Sequence, residues 1–288
     1  MAETSFQNWT LEYFGQEGTC FGLATKNKIH EEQSAFQKIT LYDTETFGHL
    51  MVIDDCMMVS QRDNFLYHEM MSHPVLFCHP QPENVAIIGG GDCGTLKEVL
   101  KHTTVKRLWQ IDIDERVTRL AEDYFPELCT SNQDPRAQLL FDDGIVWIQQ
   151  QAPNSLDVII VDSTDPVGPA AGLFSVDFLR ACYQALKPEG ILVQQSESPL
   201  LHAKTLIKQL HQDMKEAGFA AALTLPFPQP VYPTGWWSCT MASKKETQLT
   251  QFRQTDAAQK TFQTEYYNAD IHQAALAQPE FLKRALGE

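Results

Sequence analysis

From residue 85 onward the chain alternates short apolar runs with amphipathic stretches. No other feature constrains its fold so strongly. The apolar runs are residues 85–88, 108–112, 137–141, 156–161 and 191–194. Their length and their Val and Ile content fit buried strands. Helical periodicity falls between and after them, over residues 95–101, 115–124, 145–151, 176–186 and 203–217. Pro188 and Gly190 stop the fourth helix, and Gly218 ends the fifth. Strand–helix alternation requires crossover connections, which make the strands parallel and put helices on both faces of the sheet. Two more strand candidates, residues 220–225 and 236–242, are separated by PFPQPVYPTG with no helix. They are expected as an antiparallel pair at the sheet edge. The tail from Lys244 reads as surface helices and loops.

The first 60 residues follow a different pattern. Residues 37–43 (QKITLYD) alternate polar and apolar, as does much of 48–54 (GHLMVID), with Thr44-Glu45 as a short turn between them. This predicts antiparallel, half-exposed hairpins. Residues 64–71 turn helical, with Phe65, Tyr67, His68 and Met71 able to share one face. Pro74, Pro80 and Pro82 are expected to break regular structure. The chain therefore reads as α/β, with a small N-terminal antiparallel β domain over residues 1–62. A mostly parallel-sheet domain over 63–288 follows. With 288 residues, about three-quarters of the unfolded surface can be buried without a disulfide or metal to support the core.

Charge and cysteine usage exclude several classes. Acidic residues outnumber basic ones 37 to 22, a formal net charge of −15. No basic run stands out, so no nucleic-acid partner is expected. Acidity can draw cations to a cleft, although it also serves solubility. No apolar run reaches the roughly 18–20 residues that span a bilayer. The start, MAETSFQNWT, lacks a signal-peptide core. The expectation is a cytoplasmic protein with no membrane partner. Cysteines stand at 20, 56, 78, 93, 129, 182 and 239, without CxxC spacing. Free thiols in a reducing compartment follow. His68, His73 and His79 lie five and six residues apart. No His/Cys cluster has ligand spacing, so no structural metal is expected.

The first strand of the alternating region runs into Gly89-Gly90-Gly91-Asp92-Cys93-Gly94. This fits G-x-G-x-x-G between a strand and a helix, where glycines permit a tight turn and close ligand approach. Asp112 ends the next strand about 20 residues on, where a carboxylate can bind ribose hydroxyls. Asp142-Asp143-Gly144 ends the third. There one aspartate can cap the following helix while the other, Asp143, binds the nucleoside. Asp92 inside the loop bears on the ligand's charge. A pyrophosphate about 4 Å away would be repelled by about 4 kcal/mol at an effective dielectric near 20. The carboxylate of S-adenosylmethionine meets the same objection more weakly. A cationic nucleoside sulfonium is instead attracted. A hydrogen-bonded turn is the other use for Asp92.

The fourth strand ends in Asp162-Ser163-Thr164-Asp165-Pro166-Val167-Gly168-Pro169. Two aspartates three apart stand at the carboxyl edge of a parallel sheet, where ligands bind. Proline and glycine make the following loop constrained and lid-like. Asp165 also suits a turn, because Asp-Pro often starts one. Asp92, Asp162 and Asp165 are placed to share one cavity. Three carboxylates without a basic residue need a cation to offset them. A polyamine supplies it most simply.

At this point the chain resembles the spermidine synthases, the putrescine aminopropyltransferases. The matching pieces are Tyr67-His68-Glu69-Met70, the glycine loop, Asp112-Ile113-Asp114, Asp143-Gly144, the Asp162–Pro169 stretch, Gln195-Ser196-Glu197-Ser198 and Tyr232-Pro233-Thr234-Gly235. They occur in order and cover roughly residues 10–242. The resemblance implies a Rossmann-like, methyltransferase-type sheet behind a small β domain, in a homodimer or tetramer. It implies transfer of the aminopropyl group of decarboxylated S-adenosylmethionine, a co-substrate and not a cofactor, to putrescine. Carried over by position, Gln37, Asp112, Asp143, Gly144 and Pro169 would hold the nucleoside. Asp92 would meet the aminopropyl amine and, with Asp165, fix ammonium groups. Tyr67, His68, Asp165 and Tyr232 would line the diamine channel. Asp162 would be the catalytic acceptor of the amine proton.

Two departures from the family pattern stand out. Cys93 replaces a usual glycine. At positive φ this strains the loop by about 1 kcal/mol or more, and at ordinary φ it narrows the pocket. Asp112 stands where glutamate is common, shortening the reach to the ribose. The alternatives are another acceptor (agmatine, cadaverine or spermidine), a diamine N-methyltransferase, or a non-catalytic polyamine-binding paralogue. Asp92 argues against the methyltransferase, and retention of Asp162, Asp165 and Tyr232 argues against the paralogue. Glu197 is a further candidate to face the diamine. Trp236 and Trp237, Met57-Met58 and Met70-Met71 read as packing.

Overall fold

A computed structural model describes residues 8–15, 18–166 and 168–287. The side chain of Pro169, expected at the nucleoside, lies outside the described ones, as does Val167.

The N-terminal strands are β1 (Trp9–Phe14), β2 (Thr19–Gln33), β3 (Lys38–Thr44), β4 (His49–Ile53) and β5 (Cys56–Ser60). They form one antiparallel sheet in sequence order. The hairpin between β4 and β5 is closed by Asp54-Asp55, both at positive φ (47° and 67°). That is the pattern of a two-residue turn whose twist matches the strands, and aspartate tolerates it better than most residues. The long β2 carries two register shifts against β3, which break its side-chain alternation.

The second sheet contains β6 (Asn84–Gly89), β7 (Arg107–Asp112), β8 (Ala137–Phe141), β9 (Leu156–Asp162), β10 (Leu186–Gln195), β11 (Ala221–Pro228) and β12 (Trp236–Ser243). Its order is β11-β12-β10-β9-β6-β7-β8. Strands β10, β9, β6, β7 and β8 are parallel. The pair β11 and β12 is antiparallel and sits at the edge, as expected. The chain winds outward in one direction from β6 and in the other from β9, and these two strands are neighbours. The crevice at their carboxyl ends is therefore the topological switch point, where such sheets bind ligands.

The helices are α1 (Asn64–Cys78), α2 (Gly94–Leu100), α3 (Glu115–Tyr124), α4 (Gly144–Gln149), α5 (Val176–Ala185), α6 (Pro199–His202), α7 (Lys208–Ala217), α8 (Gln254–Ala258), α9 (Ala269–Ala275) and α10 (Glu280–Leu286). Apolar clusters fill both faces of the large sheet, α1 and α2 covering one and α5 and α7 the other. A third cluster joins Ile39, Leu41 and Met51 of the small sheet to Val117, Leu120 and Phe125 at α3. Phe125 is fully buried there, and truncating such a residue to alanine costs about 3–5 kcal/mol. This contact places β3 beside the carboxyl end of β7.

Four expectations are corrected. Pro74 does not end α1, which runs through it to Cys78. A proline at 74 leaves the Met70 carbonyl without its helical donor, and the Cys239 thiol donates to that carbonyl at 3.7 Å. Pro188 and Gly190 do not lie beyond a break: α5 stops at Ala185 and β10 begins at Leu186, with the irregularity inside the strand. The helix expected over 203–217 starts at Pro199 and contains a π-helical turn, Ala203–Ile207, which a 3.6-residue period cannot reveal. The tail is not only surface. Glu69 of α1 accepts the backbone N–H groups of Glu265, Tyr266 and Tyr267 at 2.7, 2.9 and 2.7 Å, and Tyr267 and His272 are buried. No helix of the described residues is long and apolar enough to cross a membrane.

Candidate active site

The glycine loop makes the floor of a cleft at the switch point. Gly89 and Gly90 have φ of +86° and +72°, conformations that cost other L residues about 1–2 kcal/mol. A Cβ on Gly89 would stand 2.1 Å from the Asp162 carbonyl oxygen. Gly90 N–H donates to the same oxygen at 2.8 Å. The tight approach of β6 and β9 is thus built into the loop, and it brings Asp162 over the glycines. Gly94 is needed for a different reason: its Cβ would fall 2.1 Å from the His68 ring.

Asp162 is the centre of the site. Its Oδ1 accepts from the Tyr67 hydroxyl at 2.7 Å and its Oδ2 from the Thr95 hydroxyl at 2.6 Å. Burial and the nearby Asp92 carboxylate raise its pKa. Asp92 makes the hydrogen-bonded turn considered for it and also lines the cleft. Its Oδ1 accepts from Gly94 N–H at 2.8 Å, closing the turn, and its Oδ2 meets His68 Nε2 at 3.1 Å. Burial opposes the charge on Asp92, but His68 outweighs it and holds the carboxyl below its ordinary range. Burial likewise opposes charge on His68, and Asp92 raises it. His68 is only 3% exposed and stands behind Asp92. It is not among the described residues lining either cavity and reaches the cleft through Asp92, whereas the resemblance has it lining the diamine channel.

The nucleoside candidates surround the other end of the cleft. Asp112 lines it, and burial pushes its carboxyl up to about 6. Asp114 N–H donates to Asp112 Oδ1 at 2.8 Å. Gln37 also lines the cleft and donates to Asp114 Oδ2 at 3.0 Å, an oxygen it shares with the Ser34 hydroxyl. Asp143 caps α4 through Oδ1, accepting from Ile145 N–H at 2.8 Å, and lines the cleft as well. Capping and lining fall on one residue, and Asp142 is exposed. A Cβ on Gly144 would press on Ile88 Cγ2 at 2.5 Å.

Cys93 has φ 68°, the strained case of the two considered. Its side chain turns away from the cleft into the core, with Gln110 Nε2 donating to Sγ at 3.5 Å.

A narrower pocket continues from the cleft, about 30 Å³ against 160 Å³. Met58, Tyr67, Ser163, Thr164 and Tyr232 line both. The Tyr232 hydroxyl donates to the Met58 carbonyl at 2.6 Å, and its ring lies 5.7 Å from that of Tyr67. Asp165 lines the narrow pocket with Glu12, Cys56, Gln195 and Trp237. Trp237 is buried against Tyr232, so it both packs and lines, and Met58 is likewise more than core filler. Met70 and Met71 are fully buried. Burial raises Glu12 to about 7 and Glu197 well above its usual value, the latter helped by Asp165. Gln195 fixes this end: its Nε2 donates to the Thr164 carbonyl and its Oε1 accepts Glu197 N–H. No Lys or Arg is among the described residues lining either cavity. Sequence reading missed Thr95, Glu12 and Cys56. Thr95 follows the glycine loop, but the other two come from β1 and the start of β5 and carry no local signal.

A mostly parallel sheet, a glycine loop at its switch point and a cleft charged only by carboxylates define a Rossmann-like protein with an acidic ligand cleft. Comparison with known proteins narrows the class. A family model described as "Spermine/spermidine synthase domain" matches residues 64–253, and one described as "Spermidine synthase tetramerisation domain" matches residues 8–61. The polyamine aminopropyltransferase of Thioalkalivibrio sulfidiphilus is 63% identical over 94% of this chain and 95% of its own. That of Methylococcus capsulatus is 61% identical over 98% of each chain. A solved spermidine synthase in complex with the transition state analogue AdoDATO superposes with a TM-score of 0.93, at 33% identity over 98% of this chain and 96% of that one. The spermidine synthase of Thermotoga maritima gives 0.90 at 33% identity over 99% and 98%. The chain belongs to the spermine/spermidine synthase family and is an aminopropyltransferase of polyamine biosynthesis.

Proposed function

We propose that this enzyme transfers the aminopropyl group of decarboxylated S-adenosylmethionine to putrescine, giving spermidine and methylthioadenosine. The observation that carries the reading is the position of Asp162. It lines the wide cleft and is hydrogen-bonded to Tyr67, whose side chain walls both cavities. The nucleoside occupies the wide cleft, with Asp112 on the ribose and Gln37, Asp143 and Gly144 holding the rest. Asp92 offsets the aminopropyl ammonium. The diamine lies in the narrow pocket between Tyr67 and Tyr232, with one nitrogen at Asp162 and the far ammonium among Asp165, Glu12 and Glu197.

The reaction is an in-line displacement. The diamine nitrogen attacks the propyl carbon beside the sulfonium. The carbon–sulfur bond breaks and its electron pair stays on sulfur, leaving neutral methylthioadenosine. The nitrogen's surplus proton passes to Asp162. A carboxylate raised by burial is a better proton acceptor than an exposed one. A free primary amine has a pKa near 10.4. Presenting its lone pair at pH 7.4 therefore costs about 4 kcal/mol, which the adjacent sulfonium and the acceptor reduce. Two fixed hydroxyls hold Asp162 in one orientation, and such positioning lowers the barrier further. The scheme uses no bound cofactor and no covalent enzyme intermediate.

The test is methylthioadenosine release from the decarboxylated donor, with putrescine, cadaverine, agmatine or spermidine supplied separately. Putrescine is expected to give the highest kcat/KM. A higher value with another amine would change the acceptor, and release of methylated amine from intact S-adenosylmethionine would overturn the donor. The match over residues 8–61 supports a homotetramer assembled through the small sheet, where Tyr13 is 72% exposed. A monomeric mass by light scattering would contradict that.

A further inference from the structure

The far end of the narrow pocket gathers three metal-ligating side chains from three segments. They are Glu12 of β1, Cys56 at the start of β5 and Asp165 in the loop after β9. One ligand atom from each lies within 4.8 Å of the other two. A four-coordinate zinc with Zn–S near 2.3 Å and Zn–O near 2.0–2.2 Å sets its ligand atoms about 3.3–3.7 Å apart. The observed spacing is one modest contraction from that. Glu12 is held in place, because its Oε2 accepts Met57 N–H at 2.8 Å. A second observation points into the same space. Glu197 is 3% exposed and held at φ 64°. Its carboxyl shares a hydrogen bond with Asp165 and its Oε2 lies 3.8 Å from His202 Nδ1, while its Oε1 has no hydrogen-bond partner among the described residues. An oxygen buried without a partner is costly, and a cation here would satisfy it.

We propose that Cys56, Glu12 and Asp165 form a site for a thiophilic divalent cation of the zinc class that closes the narrow pocket to the amine, with Glu197 adding negative charge beside it. One sulfur among carboxylate oxygens favours zinc or cobalt over magnesium or calcium. The cation takes the Cys56 sulfur as thiolate, so one metal–sulfur bond forms and the thiol proton leaves to solvent. The ion and an ammonium group compete for the same carboxylates. That competition rests on the reading of this pocket as the diamine site, whereas metal capture does not.

Cobalt(II) is the probe, added to the full-length, metal-stripped protein kept reduced by a phosphine. A near-ultraviolet thiolate-to-cobalt charge-transfer band is expected. It should be absent in Cys56→Ser, bleached by zinc and bleached by saturating putrescine. In Glu12→Gln the band should return only at about tenfold higher cobalt or more. In turnover, zinc should raise the apparent KM for the amine about tenfold or more without lowering kcat, each variant being compared with its own metal-free rate. No band, or a band that survives in Cys56→Ser, would overturn the site. A band unaffected by putrescine would overturn the competition. If no amine supports turnover, the band still reports on the metal, so failure of the proposed function and failure of the metal site are told apart. Circular dichroism and the Glu12→Gln titration decide the matter if Cys56→Ser does not fold.

Discussion

Tyr67 donates its hydroxyl to Oδ1 of Asp162 at 2.7 Å. The bond joins α1, which precedes the large sheet, to the last residue of β9. Thr95, the second residue of the helix after the glycine loop, holds the other oxygen at 2.6 Å. One carboxylate is thus clamped by hydroxyls from two helices, beside a loop whose Gly90 has no side chain to crowd it. Burial raises its pKa, and the two donated bonds restrain that rise.

Thr95→Val removes one of those bonds and leaves the cleft wall intact, since Thr95 is not among the residues lining it. The carboxyl then rises further. The acidic limb of the kcat profile is expected to move to higher pH, with kcat down about 10- to 150-fold at neutral pH, the worth of a hydrogen bond to a charged group. A pH–rate profile of variant against parent checks this. An unmoved limb would mean that Asp162 does not take the proton.

Glu12→Gln tests the far ammonium site. Burial places Glu12 at about 7, so its carboxylate is available above that pH and lost below it. The amine KM of the parent should rise as pH falls from 8 to 6. In the variant KM should be about tenfold higher at pH 8, as for loss of a charged contact, and the rise below pH 7 should be smaller. The donor KM should not change. Steady-state kinetics at both pH values decide it, and a parent-like amine KM in the variant would remove Glu12 from the site.

The parts of the fold that were legible depended on local chemistry. Strand–helix alternation gave the sheet its strands, and the missing helix before Trp236 gave the antiparallel edge. The glycine loop and the aspartates at strand ends gave most of the cleft. What sequence could not show was set by distant contacts. The helix passes Pro74, and a thiol 169 residues from Met70 takes the orphaned carbonyl. From its apolar neighbours His68 reads as structural and only the family resemblance makes it a ligand; the absent Cβ of Gly94 lets its ring settle behind Asp92. Glu12 and Cys56 reach the narrow pocket only through sheet pairing, and β2 lost its alternation to two register shifts.

Cys93 sits at φ 68° with its side chain in the core. Alanine there keeps the strain and loses the sulfur, whereas glycine loses the sulfur and relieves the strain. Cys93→Gly should therefore be more stable than Cys93→Ala by about 1 kcal/mol. In thermal melts that is about 2–4 °C for a chain near this size. Both variants should retain turnover within a few-fold, because the side chain faces away from the cleft. Equal melting temperatures would contradict the strain.

His102 is buried with Nε2 3.0 Å from Nδ1 of His73. Burial first, and then the proximity of His73, hold its pKa well below the ordinary value. The unfolded chain binds that proton near pH 6.5 and the folded chain does not. The stabilisation is complete above about 6.5 and is lost as pH falls below it. Asp112 and Glu12, both raised, act with the opposite sign. Comparison of His102→Asn with the parent isolates the histidine. The variant should melt lower at pH 7.5 and lose less between pH 7.5 and 5.5. Parallel melting curves against pH would rule the effect out.

The most direct test of the account is single-turnover transfer by Asp162→Asn with saturating donor and putrescine, alongside donor affinity by titration. The expected result is donor binding within a few-fold of the parent and a transfer rate lower by about 10²–10⁴, the usual contribution of a positioned proton acceptor. A rate within about tenfold of the parent, with donor still bound, would show that the amine proton leaves by another route and that Asp162 is not the acceptor.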